Sequence, residues 1–121
     1  ILAQTASEQT VRGLSPDLDR LARLGTRGVI VTAISENGQA DFVSRFFCPS
    51  LGIDEDPVTG SAHCCLTPFW AERLGRGELV GFQASMRGGF VQCTLAGDRV
   101  LLGGRAVTIF SGEMIAPPAG T

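Results

Sequence analysis

The sequence contains no apolar run long enough to cross a bilayer, because glycine, proline or charge interrupts every hydrophobic stretch. Charge is also sparse. Charged residues make up 18% of the 121 positions, and 12 acidic groups stand against 10 basic ones, for a net charge of −2. With no basic run and no basic–aromatic stripe, neither nucleic acid nor a membrane surface is an expected partner. The four cysteines, Cys48, Cys64, Cys65 and Cys93, include no C-x-x-C pair. His63 adds no metal-ligand spacing, so no metal site is expected. The cysteines read mostly as small buried apolar residues, and reduced thiols suit a cytoplasmic protein. No glycine-rich phosphate loop occurs. Ser61 and His63 are two apart and do not face each other on a helix, so no Ser-His triad follows. The chain opens on Ile1, without a methionine or a secretory pattern, which leaves processing, tag removal and an upstream segment as open readings.

What remains is a chain 44% hydrophobic, enough for a single domain spanning 1–121, with a frayed tail over 116–121. ILAQT at 1–5 reads as a short strand. Ser15-Pro16 offers the N-cap and first position of a helix carrying Leu18, Leu21 and Leu24 on one face, stopped by Gly25. GVIVTAIS (28–35) and ADFVSRFF (40–47) read as strands joined through Glu36-Asn37-Gly38. Arg45, among aromatics, is either a surface charge or a binder of an acidic group. From 77 onward the pattern reads as a meander of four strands, punctuated by Gly88-Gly89, Ala96-Gly97-Asp98 and Gly103-Gly104.

The segment EDPVTGSAHCCLTPFW (55–70) is different. Between Ser61 and Leu74 the only charges are Glu72 and Arg73. A helix with no polar face has to be enclosed, and in a strand-rich chain a curved sheet is the simplest enclosure. The expected fold is therefore α+β, a half-barrel of mixed or antiparallel sheet around a central apolar helix, kinked at Pro68. At the mouth of that helix, Thr59-Gly60-Ser61 supplies capping hydroxyls and unpaired N–H groups, which together form an anion pocket. Asp54, Glu55 and Asp56 stand just upstream. They read either as a simple complement to the helix dipole or as proton-handling groups. His63 reads as a core or loop hydrogen-bonder in preference to a base.

DFVSRFFCPSLGIDEDPVTGSAHCCLTPFWAERLG, with QASMRGG and DRVLLGGRAVTIFSGEM, resembles the C-terminal half of the phenazine-biosynthesis (PhzF-like) isomerase family, whose fold is shared with diaminopimelate epimerase. The resemblance covers essentially the whole chain, and EDPVTGSAH is close to a signature. It implies two like halves, each a sheet curled around a central helix, with the active site in the cleft between them. It also implies that Asp56 lines the cleft and handles substrate or proton, and that the amides of Gly60 and Ser61 hold a carboxylate or enolate-like oxygen. Thr59 and His63 belong to the same motif. The implied substrate is a small carboxylate, and no metal, PLP or nucleotide cofactor is implied. The family's principal acid/base, a glutamate in a motif of the kind N-[LF]-S-E-[TS], belongs to the N-terminal half and has no counterpart in these 121 residues. The paired catalytic cysteines of the epimerases are not kept either. The chain is thus expected to supply one wall of an active site and to need an N-terminal half. The alternative is a free-standing half that self-associates through its cleft face as a homodimer and binds a small anion without turnover.

Overall fold

A computed structural model describes residues 1–113. The tail expected to fray lies outside them. The fold is α+β: a seven-stranded mixed sheet, not closed into a barrel, with helices on both faces. The elements are β1 (Leu2–Gln4), α1 (Glu8–Gly13), α2 (Leu18–Ala22), β2 (Val29–Ile34), β3 (Phe42–Cys48), β4 (Ile53–Glu55), α3 (Gly60–Leu74), β5 (Glu78–Gln83), β6 (Gly89–Ala96) and β7 (Arg99–Gly103). A 3-10 turn, Pro49–Leu51, precedes β4.

The sheet runs β1-β2-β3-β5-β6-β7, with β1–β2 and β3–β5 parallel and the other pairs antiparallel. One edge of β3 is shared. Its first half, Phe42–Ser44, pairs with β5, while Phe47 and Cys48 pair with β4 through an irregular register. The two strands diverge around Arg45 and Phe46, and this fork carries the candidate site described below.

Period-two alternation gives the sheet two apolar faces. Ile30, Phe42, Phe46, Leu79, Val91 and Cys93 pack against α3, through Ala62, Leu66, Trp70 and Ala71. Val29, Val31, Ala33, Val43 and Phe47 pack on the other face, beside Val11 of α1 and Leu18 and Leu21 of α2. Trp70 Nε1–H donates to Thr32 Oγ1 at 3.0 Å, which satisfies a buried indole. Gly81 allows the close approach of α3 and Phe42. A Cβ there would lie 2.5 Å from Phe42 Cζ and 3.0 Å from His63 Cδ2.

Several expectations are corrected. The helical region after β1 is two short helices, capped by Ser7 and Asp17 and not by Ser15, because those two side chains accept from Thr10 N–H and Arg20 N–H. The sheet covers α3 on one side only. Cys64 and Cys65 are exposed, against the expectation of burial, whereas Cys48 and Cys93 are buried. Burial pushes the thiols of Cys48 and Cys93 up from their ordinary value, so both resist ionisation. As expected, Pro68 falls inside α3; it sits on the exposed side, where water can take the carbonyl freed at Cys64. The meander has three strands among the described residues. Positions 104–113 form no strand, and Val107, Ile109 and Phe110 are exposed.

Candidate functional site at the mouth of α3

Of the three acidic residues before α3, only one is left at the helix mouth. Asp54 is exposed in the middle of β4. Glu55 is taken by Arg45: Nε–H donates to Oε1 at 2.7 Å and Nη2–H to Oε2 at 2.8 Å, a fork-on-fork pair. Arg45 also donates to Leu14 O at 2.7 Å and lies over the Phe47 ring at 4.8 Å. Arg45 is therefore a binder of an acidic group, and that group belongs to its own chain. The Glu55 hydrogen bonds raise the Arg45 pKa despite opposing desolvation. This clamp fixes β4 on β3 and delivers Asp56 to the fork, where its N–H donates to Phe46 O at 3.0 Å.

Thr59 is the hub. Every polar atom it has is engaged, and none serves as a side-chain cap for α3. Its hydroxyl donates to Asp56 Oδ2 at 2.5 Å. Its N–H donates to Gln83 Oε1 at 2.8 Å, and its carbonyl accepts from His63 N–H at 3.2 Å and His63 Nδ1 at 2.8 Å. The capping expected of Thr59 is thus diverted. The N–H groups of Gly60, Ser61 and Ala62 make no hydrogen bond among the described residues. Gly60 and Ser61 are exposed, so the positive end of a 15-residue helix faces outward uncapped.

His63 does not reach this rim. Its ring is fully buried between α3 and the sheet, 5.9 Å from the Phe42 ring. A carbonyl can only accept, so the contact to Thr59 O places the ring proton on Nδ1 and leaves Nε2 bare and unpartnered. Desolvation lowers the His63 pKa against the upward pull of that bond, which keeps the imidazole neutral. Its link to the site is mechanical, through Thr59.

Sequence reasoning missed Gln83, fully buried at the end of β5. Its signal was a polar residue in the buried phase of the strand Glu78–Gln83, where Leu79 and Gly81 share its face. Ser85 was missed as well. Its hydroxyl donates to Pro57 O at 2.7 Å, pinning the loop after β5 to the loop before α3. Beside Val58 opens a cleft of about 900 Å³, bordered by Arg87, Gly88, Gly89 and Arg105. Ser61 borders a separate groove of about 200 Å³ with Arg27 and Cys65. Among the described residues, no cluster of His, Cys, Asp or Glu could hold a metal ion. Among the described residues, no helix is long and apolar enough to cross a membrane.

Comparison with known proteins identifies the family. The family model for phenazine biosynthesis-like proteins (PhzC-PhzF) matches residues 1–112. An uncharacterized isomerase of Pseudomonas aeruginosa is 54% identical over 94% of this chain and 43% of its own length. One from Halalkalibacterium halodurans is 47% identical over the same shares, 94% and 43%. The crystal structure of a PhzF-family protein from Enterococcus faecalis superposes with a TM-score of 0.81 at 45% identity, covering 85% of this chain and 39% of that one. The chain thus spans less than half the length of these relatives. The chain belongs to the phenazine biosynthesis-like, PhzC-PhzF, family.

Proposed function

We propose that this chain is one half of a cofactor-independent isomerase that moves a proton on a small carboxylate substrate, and that it works only with a complementary half. The observation carrying this reading is the pairing of an uncapped helix N-terminus with a hydroxyl-anchored carboxylate three residues before it. Gly60 and Ser61 amides would receive the substrate carboxylate or the enolate oxygen, where a fixed dipole stabilises developing charge without reorganisation. Asp56 would carry the proton. Thr59 and His63 hold the loop in shape. The isomerase names of the relatives support the reaction class.

The finer fold fits the same reading. One side of α3 and the apolar residues Val107, Ile109 and Phe110 lie exposed, which suits a face that meets a second half. The proposed setting is cytoplasmic, in line with four free thiols.

Two measurements test the proposal. In a protein joining both halves, Asp56→Asn should lower kcat by about 10²-fold or more, the scale of a lost general acid–base group. In the 121-residue chain, titration with acetate should move the Gly60 and Ser61 amide resonances saturably. Unchanged turnover removes Asp56 from the chemistry, and stationary Gly60 and Ser61 resonances remove the anion pocket.

A further inference from the structure

We infer that Gln83 is a positioning residue that decides which oxygen of Asp56 exchanges a proton, reserving Oδ1 for the substrate. This deepens the proposed function and rests on Asp56 as the proton-handling group. A backbone N–H can only donate, so the Thr59 amide, 2.8 Å from Gln83 Oε1, fixes the orientation of the whole carboxamide. Nε2 then directs its two protons to Asp56 O at 2.6 Å and Thr59 Oγ1 at 3.0 Å. A hydroxyl has one proton. Having accepted from Gln83, Thr59 Oγ1 can only turn that proton toward Asp56 Oδ2.

Asp56 is then constrained at three of its four polar atoms. Its N–H donates to Phe46 O, its carbonyl accepts from Gln83, and Oδ2 accepts from Thr59. Oδ1 alone makes no hydrogen bond among the described residues. In the reaction, the substrate C–H bond breaks and the proton forms an O–H bond at Oδ1. The electron pair passes into the enolate whose oxygen faces the Gly60 and Ser61 amides. Where a C=C adjoins the broken C–H bond the enolate is conjugated, and return of the proton from Oδ1 to the far carbon of that C=C restores the carbonyl and shifts the double bond, so no oxidant or second reactant is needed.

Gln83→Glu inverts the relay at nearly constant volume. A carboxylate accepts only, so it would draw the Thr59 hydroxyl proton away from Asp56. The test is NMR on the 121-residue chain, reading the Thr59 hydroxyl proton and its coupling across the hydrogen bond to the Asp56 carboxyl carbon. The wild-type chain should show a slowly exchanging hydroxyl resonance with that coupling. Thr59→Ser should keep it, while Gln83→Glu and Gln83→Leu should lose it with the amide spectrum still dispersed. Persistence of the coupling in a folded Gln83→Glu chain overturns the inference, as does its absence from the wild type, a result that requires no variant to fold. The readout involves no turnover. An inactive complete protein with the coupling intact would therefore remove the proposed reaction and leave the positioning in place.

Discussion

Arg45 shows how a single side chain can decide the character of a site ten residues away. It neutralises Glu55, closes the C-terminus of α1 through Leu14 O and stacks on Phe47. Both partners are mostly buried, with side-chain exposures of 14% and 20%. Arg45→Ala leaves Glu55 without its partner, and should cost about 3 kcal/mol in urea unfolding, the lower end for breaking a buried pair. Arg45→Met combined with Glu55→Leu should recover most of that loss, since well-packed apolar pairs replace buried ion pairs at little cost. A double variant no more stable than the single would show that the contacts to Leu14 and Phe47, not the ion pair, dominate. The sequence offered Arg45 as a choice between solvent and an acid, and could not name Glu55, because a turn and a strand reversal lie between them. Gln83 was hidden more deeply. Its partners lie 24 and 27 residues upstream, and alternation marks position 83 as buried without saying what it meets.

The elements themselves were largely legible where a strong period existed. β2 and β3 and the long apolar helix fall close to where alternation and the charge-free run placed them. The failures have local causes. α1 and α2 are six and five residues long, too short for a helical period to show, and their caps at Ser7 and Asp17 are the better signal. The apolar run of α3 was read as calling for enclosure, whereas the sheet covers one side of it among the described residues. Composition records apolar character without saying how many sides of a helix are buried. The helix–sheet spacing is set at Gly81, where an added methyl would meet the Phe42 ring at 2.5 Å. Gly81→Ala should therefore destabilise the chain by about 1–3 kcal/mol, the usual cost of overpacking. An unchanged melting midpoint would show that Phe42 and α3 can move aside freely.

For the whole molecule, two buried groups set the response to acid. His63 has its folded pKa below the ordinary 6.5, chiefly through desolvation. Unfolded chains therefore bind the extra proton first, and stability present above pH 6.5 declines as pH falls below it. Glu8 follows. Desolvation pushes its pKa up, but bonds from Glu36 N–H, Arg12 and Ser35 outweigh it and leave the folded value below 4.5. Its share of stability is present above pH 4.5 and is lost on further acidification. Urea midpoints measured from pH 7.5 to 3.5 should fall in two stages. His63→Gln should remove the upper stage and Glu8→Gln the lower, and a single stage unaffected by His63→Gln would contradict this account. The fold class was readable at this scale, because strand alternation and one apolar helix leave few alternatives. The open face of α3 was not, because a charge-free run gives no sign of which side of the helix meets the sheet.

The hydroxyl of Thr59, turned from its own helix toward Asp56, sets the carboxylate and the first turn of α3 in competition for one side chain. Replacing Asp56 by alanine leaves Gln83 Nε2 as that hydroxyl's remaining partner and lets it turn onto the first turn of α3, where a threonine cap contributes about 1 kcal/mol. The Asp56→Ala chain should accordingly melt later than the native one, and hydrogen exchange at Ser61 and Ala62 should slow. Directed evolution for heat resistance alone would then erode this aspartate early, and a thermostable library of such chains would be enriched in members without it.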